Sequence, residues 1–145
     1  MRALVLGLLL LAGCSAASAP VAPRPGAGTA QEQQWRAAAL SDYRYDFEQQ
    51  CFCIAEQRQP VTIEVRGGRV SRVLARATGQ PVAASENVRW HTVDDLFRLI
   101  AEAKANQSEL RVAYDPRLGY PTRVEIGSLA ADAGVIYIAG NLRPL

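Results

Sequence analysis

The sequence predicts an α+β domain with an antiparallel sheet of about six strands, two helices packed on one face, and the order helix, three strands, helix, three strands. Two patterns lead to this fold class. Short segments alternate apolar and polar residues, and Gly- and Pro-rich turns separate them, whereas a longer segment after residue 91 has helical spacing. The composition, 49% hydrophobic and 21% charged over 145 residues, suits one globular domain.

The first half of the domain contains one predicted helix and three predicted strands. The helix covers residues 32–41 and places Trp35 on its apolar face. From Tyr43 the apolar period changes to two, which is typical of a half-buried strand running toward Cys51. Two further strands flank Gly67 and Gly68, and adjacent glycines favour a tight hairpin because both tolerate positive φ.

The second half begins with a polar loop, about residues 78–91, and the clearest helix. Thr92 can cap this helix, and Asp94 and Asp95 suit its positive N-terminus. Its apolar stripe contains Val93, Leu96, Phe97, Ile100 and Ala103. Three strands are predicted to follow, at 109–115, 122–127 and 134–140.

Residues 1–13 are predicted to be a lipoprotein signal peptide. A basic start at Arg2 precedes an apolar run that is too short to span a bilayer comfortably. The stretch Leu11-Ala12-Gly13-Cys14 resembles the lipobox of bacterial lipoproteins, which implies diacylation of the Cys14 sulfur and cleavage before it. The alternative is an ordinary secretory signal with an incidental cysteine.

Acylation would make Cys14 a membrane anchor, with palmitate-type chains in the bilayer. Residues 14–30, rich in Ala, Pro, Gly and Ser, are predicted to form a flexible tether, and residues 31–145 a single α+β domain. The expected location is the bacterial cell envelope, on the periplasmic face of the outer membrane if the host is Gram-negative.

The charge balance excludes a nucleic-acid partner. Loss of Arg2 with the signal leaves 15 basic residues against 14 acidic ones. Arg66, Arg69, Arg72 and Arg76 crowd one hairpin, and we interpret them as charges on an exposed strand face.

Cys51 and Cys53 form an even pair once lipidation removes Cys14 from the count. An oxidising envelope favours a disulfide between them. Alternate Cα atoms of a regular strand are about 6.6–6.8 Å apart, at the far limit for a bridge, so a disulfide predicts a bend or bulge between Gln49 and Cys53.

The side-chain pattern also predicts an irregularity here. One extra residue at Gln49-Gln50 would return Phe52 and Ile54 to the apolar face. Reduced cysteines, a redox pair and a metal site remain alternatives for Cys51 and Cys53.

The remaining residues carry no established catalytic pattern. There is no G-x-S-x-G and no H-E-x-x-H motif, and His91 is the only histidine. Two cysteines and one histidine fall short of a structural zinc site. We therefore expect no cofactor, no metal and no enzymatic activity.

Several motifs together resemble the bacterial lipoproteins grouped as domain of unknown function 6174. The resemblance spans most of residues 35–127, and its more specific parts are the C-x-C motif and the "YDP…GYP" turn. The full set is Tyr43 to Phe47, Cys51-Phe52-Cys53, Val61 to Gly68, Thr92 to Ile100, and Tyr114-Asp115-Pro116 with Gly119-Tyr120-Pro121. The grouping implies no activity and no catalytic residues.

Three functional hypotheses follow. The first is a non-catalytic envelope lipoprotein that binds a partner or supports envelope assembly, with Cys51 and Cys53 as a structural pair. The second is a thiol-based redox or metal-binding protein that uses this pair, with His91 nearby. The third is an inhibitor or chaperone that presents the loop of Asp115, Pro116, Gly119, Tyr120 and Pro121, which requires Tyr120 to be exposed at the tip. The sequence leaves the oligomeric state open.

Overall fold

A computed structural model describes residues 28–131 and 133–145. Its six strands form one antiparallel sheet in the order β3-β2-β1-β6-β5-β4. The strands are β1 (Tyr43–Cys51), β2 (Val61–Arg66), β3 (Arg69–Ala75), β4 (Leu110–Tyr114), β5 (Pro121–Ile126) and β6 (Val135–Pro144). The helices are α1 (Ala30–Ala38), α2 (Ala55–Arg58) and α3 (Val93–Ala105), with a 3-10 turn at Leu129–Ala131.

The α+β class and the six-stranded antiparallel sheet are confirmed, and the number of helices is larger than predicted. The two additional elements, α2 and the 3-10 turn, have only four and three residues. Segments this short leave no periodic apolar pattern, and α2 buries no residue. The predicted signal peptide and Cys14 lie outside the described residues.

Helix α1 lies slightly earlier in the chain than predicted. Thr29, assigned to the tether from the sequence, caps it: its Oγ1 accepts a hydrogen bond from Glu32 N at 3.2 Å. The helix ends at Ala38 rather than at residue 41, because Ala39 adopts a left-handed conformation with φ of 50°.

The core lies between β1 and the two longer helices. Tyr43, Tyr45 and Phe47 are buried on one face of β1, and the register with β2 places Val65, Ile63 and Val61 beside them. Trp35 of α1 packs edge-on against Tyr43 with ring centroids 5.3 Å apart. The predicted alternation in β1 and β2 therefore builds the centre of the apolar face.

Helix α3 covers the same face and begins where predicted. The Thr92 hydroxyl accepts a hydrogen bond from Asp95 N, and the Asp95 carboxylate accepts one from Thr92 N, which is a capping box. The neighbouring Asp94 contacts the other long helix, since Trp35 Nε1 donates to its Oδ1 at 3.1 Å. This bond joins α1 to the start of α3. All five residues of the predicted stripe are buried.

Candidate functional site

The C-x-C motif lies at the end of β1, where the chain leaves the sheet. The strand ends at Cys51, and the backbone bends at Phe52 and Cys53. The Cα atoms of the two cysteines are 5.3 Å apart and their sulfur atoms lie at disulfide-bonding distance. The predicted bend is present, and it brings the cysteines closer than a straight strand would allow. Residues 51–54 are called the disulfide lip below.

The bulge predicted at Gln49-Gln50 is absent, and this prediction is wrong. Pairing between β1 and β6 is regular from Asp46 to Cys51, so no extra residue is accommodated there. Phe52 and Ile54 consequently stay on the outside, 69% and 47% exposed. The backbone changes direction after the last residue paired with β6 instead of within the strand.

The disulfide lip borders an open concavity of about 750 Å³. Amide side chains line one wall: Gln49 Nε2 donates to Cys51 Sγ at 3.3 Å, and Gln50 Nε2 donates to Glu48 Oε1 at 2.9 Å. Arg58 of α2 and Leu129 of the 3-10 turn complete the lining. The concavity therefore combines one apolar rim with hydrogen-bonding groups.

His91 lies in the core face of the sheet. Its ring packs against Phe47 and Tyr137, with centroids 6.0 and 5.3 Å away. Burial lowers the pKa of His91, and within the described chain its Nδ1 has no hydrogen-bond partner. Tyr137 pairs with Gln49, two residues before Cys51. Among the described residues, His91 and the two cysteines do not form a group that could hold a metal ion.

Residues 115–121 form the turn between β4 and β5, called the turn loop below. Asp115 Oδ1 accepts hydrogen bonds from the backbone of Arg117 at 2.9 Å and of Leu118 at 2.7 Å. These bonds make the rigid Asp-Pro turn that the sequence indicates. Only Pro116 and Arg117 are exposed at its tip.

Tyr120 is not presented by the turn loop. It is only 5% exposed, and its ring lies 6.4 Å from that of Trp35 in α1. Gln34 of α1 donates from its side-chain amide to the carbonyl oxygens of Pro116 and Arg117 at 3.1 and 2.8 Å. The loop therefore holds α1 on the sheet, and the exposure of Tyr120 that the inhibitor or chaperone hypothesis requires is not present.

Residues 28–131 and 133–145 contain neither a candidate metal cluster nor a helix that could span a membrane. No group of three or more His, Cys, Asp or Glu side chains is arranged to hold a metal ion. No helix in this part of the chain is long and apolar enough to cross a membrane.

A family model matches residues 28–144, from the start of the described chain to the last residue of β6. The chain belongs to the family of unknown function DUF6174. This match includes β6, which the motif resemblance did not reach. No curated protein and no solved structure matches the chain.

The DUF6174 domain has a second concavity, of about 320 Å³, on the sheet face opposite the core. Asp46 lines it and accepts hydrogen bonds from Thr62 Oγ1 and Asn141 Nδ2, both at 2.8 Å. These two bonds, with nearby Arg76 and Arg143, lower the pKa of Asp46 in spite of the opposing effect of its burial.

Sequence reasoning did not find this second concavity. The alternation in β1 shows that Arg44 and Asp46 face away from the core, but the sequence does not show which residues of β6 lie next to them. That depends on a bulge in the pairing of β1 and β6 between Arg44 and Asp46.

Proposed function

We propose that this chain is a membrane-anchored bacterial envelope lipoprotein whose DUF6174 domain is a non-catalytic module that binds an envelope protein through the disulfide lip. The observation that carries the proposal is the exposure of Phe52, which lies between Cys51 and Cys53, and of Ile54, which follows them. Cys14 would supply the membrane anchor.

The exposed apolar side chains are concentrated in one place. In the described part of the chain, the large hydrophobic residues that are exposed are Phe52, Ile54 and Leu145, and two of these three lie in the disulfide lip. Grouped apolar surface of this kind favours association, and aromatic anchors are enriched among residues that dominate binding energy. A disulfide would hold the lip in one shape and reduce the entropy lost on binding.

The surroundings of the lip favour a protein partner over a bilayer surface. Glu48 and Arg58 both line the adjacent concavity, so the site has no basic surplus to attract anionic headgroups. Gln49 and Gln50 present amides that can exchange hydrogen bonds with a polypeptide backbone. An apolar rim beside polar groups is the usual anatomy of a protein interface.

The anchor is tested by the intact mass of the exported protein. We expect the mass of a chain that begins at Cys14 and carries acyl groups, and recovery in the membrane fraction. In a Cys14→Ala variant, the acyl mass and the membrane recovery are both expected to be lost. An exported wild-type chain without acyl mass would contradict the anchor and leave the lip proposal standing.

The lip is tested by replacing Phe52 with a photo-crosslinking residue in the full lipidated chain. We expect one adduct of defined mass in cells, and its loss when Ile54→Ser is added. The matched control carries the crosslinker at Arg66, which is exposed at the far hairpin. An adduct to lipid, a dimer of this chain, or equal adducts at both positions would contradict a protein partner at the lip.

The thiol hypothesis makes a different prediction for the same segment. A redox or metal role requires Cys51 and Cys53 to be thiols for part of the working cycle. We expect a fully oxidised pair when cells are quenched with acid and alkylated. Two free thiols in the native protein would favour the thiol hypothesis over a structural pair.

A further inference from the structure

The solvent-facing side of the sheet carries two arginines directly opposite each other. Arg44 of β1 and Arg143 of β6 are cross-strand partners. Neither has a carboxylate oxygen within 4.0 Å in residues 28–131 and 133–145. Like charges in this position destabilise a sheet, so the pair needs a compensating anion or reduces stability.

The nearby carboxylates are already engaged. Asp46 accepts the hydrogen bonds from Thr62 and Asn141 and lies 3.7 Å from Arg76 Nε. Glu64 pairs with Arg72 of the neighbouring strand at 3.9 Å. Both acidic groups therefore have closer partners than Arg44 and Arg143. Arg143 is near enough to Asp46 to lower the pKa of that carboxyl, but neither arginine forms an ion pair among the described residues.

A bulge in β6 brings Arg143 to this face. Tyr137 and Ala139 point into the core, so strict alternation would send Arg143 to the core side as well. The register shifts between Arg44 and Asp46, and Asn141 adopts a φ of 53°. The extra residue turns Leu142 toward the core cluster and Arg143 toward Arg44.

The two arginines line the concavity of about 320 Å³ together with Arg76. This volume is at the small end of ligand sites, which limits the occupant to a compact group. Planar guanidinium groups match the oxygen geometry of phosphate and can bind it in a bidentate manner. We propose that this concavity is a phosphate-binding site in which Arg44 and Arg143 hold the anion and Asp46, fixed by Thr62 and Asn141, positions Arg76 beside them.

The phosphate group could belong to a small soluble molecule or to a phospholipid headgroup. The chemistry that recognises both is the same pair of guanidinium groups. This site uses the opposite face of β1 from the core and none of residues 51–54, so its test is independent of the disulfide lip.

The experiment measures the thermal midpoint of the complete exported chain in non-ionic detergent at constant ionic strength, with chloride replaced stepwise by inorganic phosphate. We expect a saturable rise for the wild type. The apparent affinity is read from the phosphate concentration that gives half of the rise. Arg44→Gln and Arg143→Gln should each lower this affinity at least about tenfold, since each removes a charge-assisted contact. The control Arg66→Gln, on an exposed arginine outside the concavity, should respond as the wild type.

A second readout separates binding from folding. Without phosphate, Arg44→Gln should have a midpoint equal to or above that of the wild type, because it removes the like-charge pair and leaves Arg143 near Asp46. Equal phosphate responses in the wild type and in Arg44→Gln/Arg143→Gln would overturn the proposal, as would a wild-type response no larger than that to chloride.

Two ligands distinguish the sources of the phosphate. Glycerol 1-phosphate and vesicles of phosphatidylglycerol in phosphatidylcholine are titrated against the wild type and the double variant. If the wild type binds glycerol 1-phosphate and the double variant does not, the ligand is a soluble molecule. If the double variant loses binding only to the vesicles, the ligand is a phospholipid headgroup. If the wild type and the double variant behave alike with both ligands, the proposed phosphate site is contradicted.

Discussion

The turn loop at 115–121 and the disulfide lip at 51–54 are the two most distinctive motifs of the sequence, and they occupy opposite environments. The turn loop carries an aromatic side chain that is 5% exposed, whereas Phe52 in the lip is 69% exposed. Helix α1 packs over the first through Trp35 and Gln34. A distinctive turn motif can therefore serve the core or the surface, and the packing of a distant element distinguishes the two.

The largest expected effect comes from truncating the aromatic residue in each motif. Tyr120→Ala should lower the free energy of unfolding by about 3–5 kcal/mol, because a buried ring is replaced by a cavity. Phe52→Ala should change it by less than about 0.5 kcal/mol, since the ring is exposed. Urea unfolding followed by tryptophan fluorescence measures both. Equal losses would show that the lip is part of the core.

The second prediction concerns the close approach of α1 to the turn loop. Gly119 has φ of 76°, and a Cβ there would lie 2.4 Å from the carbonyl oxygen of Gln31. Gly68 has φ of 72° with open space around it. Gly68→Ala should cost about 1–2 kcal/mol for the left-handed backbone alone. Gly119→Ala should cost more in the same urea experiment, and equal costs would mean that α1 does not press on the loop.

The third prediction concerns the cysteine pair. A disulfide across so short a loop constrains the unfolded chain little, about 1.6 kcal/mol in the chain-entropy model. Cys51→Ser/Cys53→Ser should lower the free energy of unfolding by about this amount or less, and a reductant should have no further effect on that variant. A loss of several kcal/mol would place the lip among the determinants of the fold.

The smallest expected effect is a pH dependence of the free energy of unfolding that comes from the buried residue His91. Burial lowers the pKa of His91 below its ordinary 6.5. As the pH falls, His91 is therefore protonated at a higher pH in the unfolded chain than in the folded one. The stability present above pH 6.5 should decline as the pH falls through the folded-state pKa, by less than about 1.4 kcal/mol per pH unit.

A matched pair of variants assigns this pH dependence. Urea unfolding between pH 7.5 and about 5 should show the decline in the wild type and in Cys51→Ser/Cys53→Ser, and should show it weakened in His91→Phe. If the cysteine variant also lost the decline, His91 and the cysteine pair would be coupled, as the thiol hypothesis requires.

Local patterns predicted most of the fold. The alternation at Tyr43, Tyr45 and Phe47, the Gly67-Gly68 hairpin and the cap at Thr92 are all present, because each depends on residues close in sequence. The short α2 and the 3-10 turn could not be predicted, since neither is long enough to show a period.

The two sites were predictable to different degrees. Cysteine spacing and strand geometry together predicted the bend at the lip, but the bulge was expected at Gln49-Gln50. Pairing is regular at Gln49-Gln50, which leaves Phe52 exposed, and the irregularity between β1 and β6 lies instead where Asn141 faces β1. The Arg44–Arg143 pair could not be predicted, because it joins residues 99 positions apart through a shifted register.

By itself, the sequence determined the types of the main elements and the faces that they bury, because the side-chain period follows directly from local backbone geometry. Only the tertiary structure decided that Tyr120 is covered and Phe52 is not, and that Arg143 lies beside Arg44. Burial and register depend on which distant segment packs or pairs with a given residue. That information is shared between α1, β1 and β6 and is not contained in any one of them.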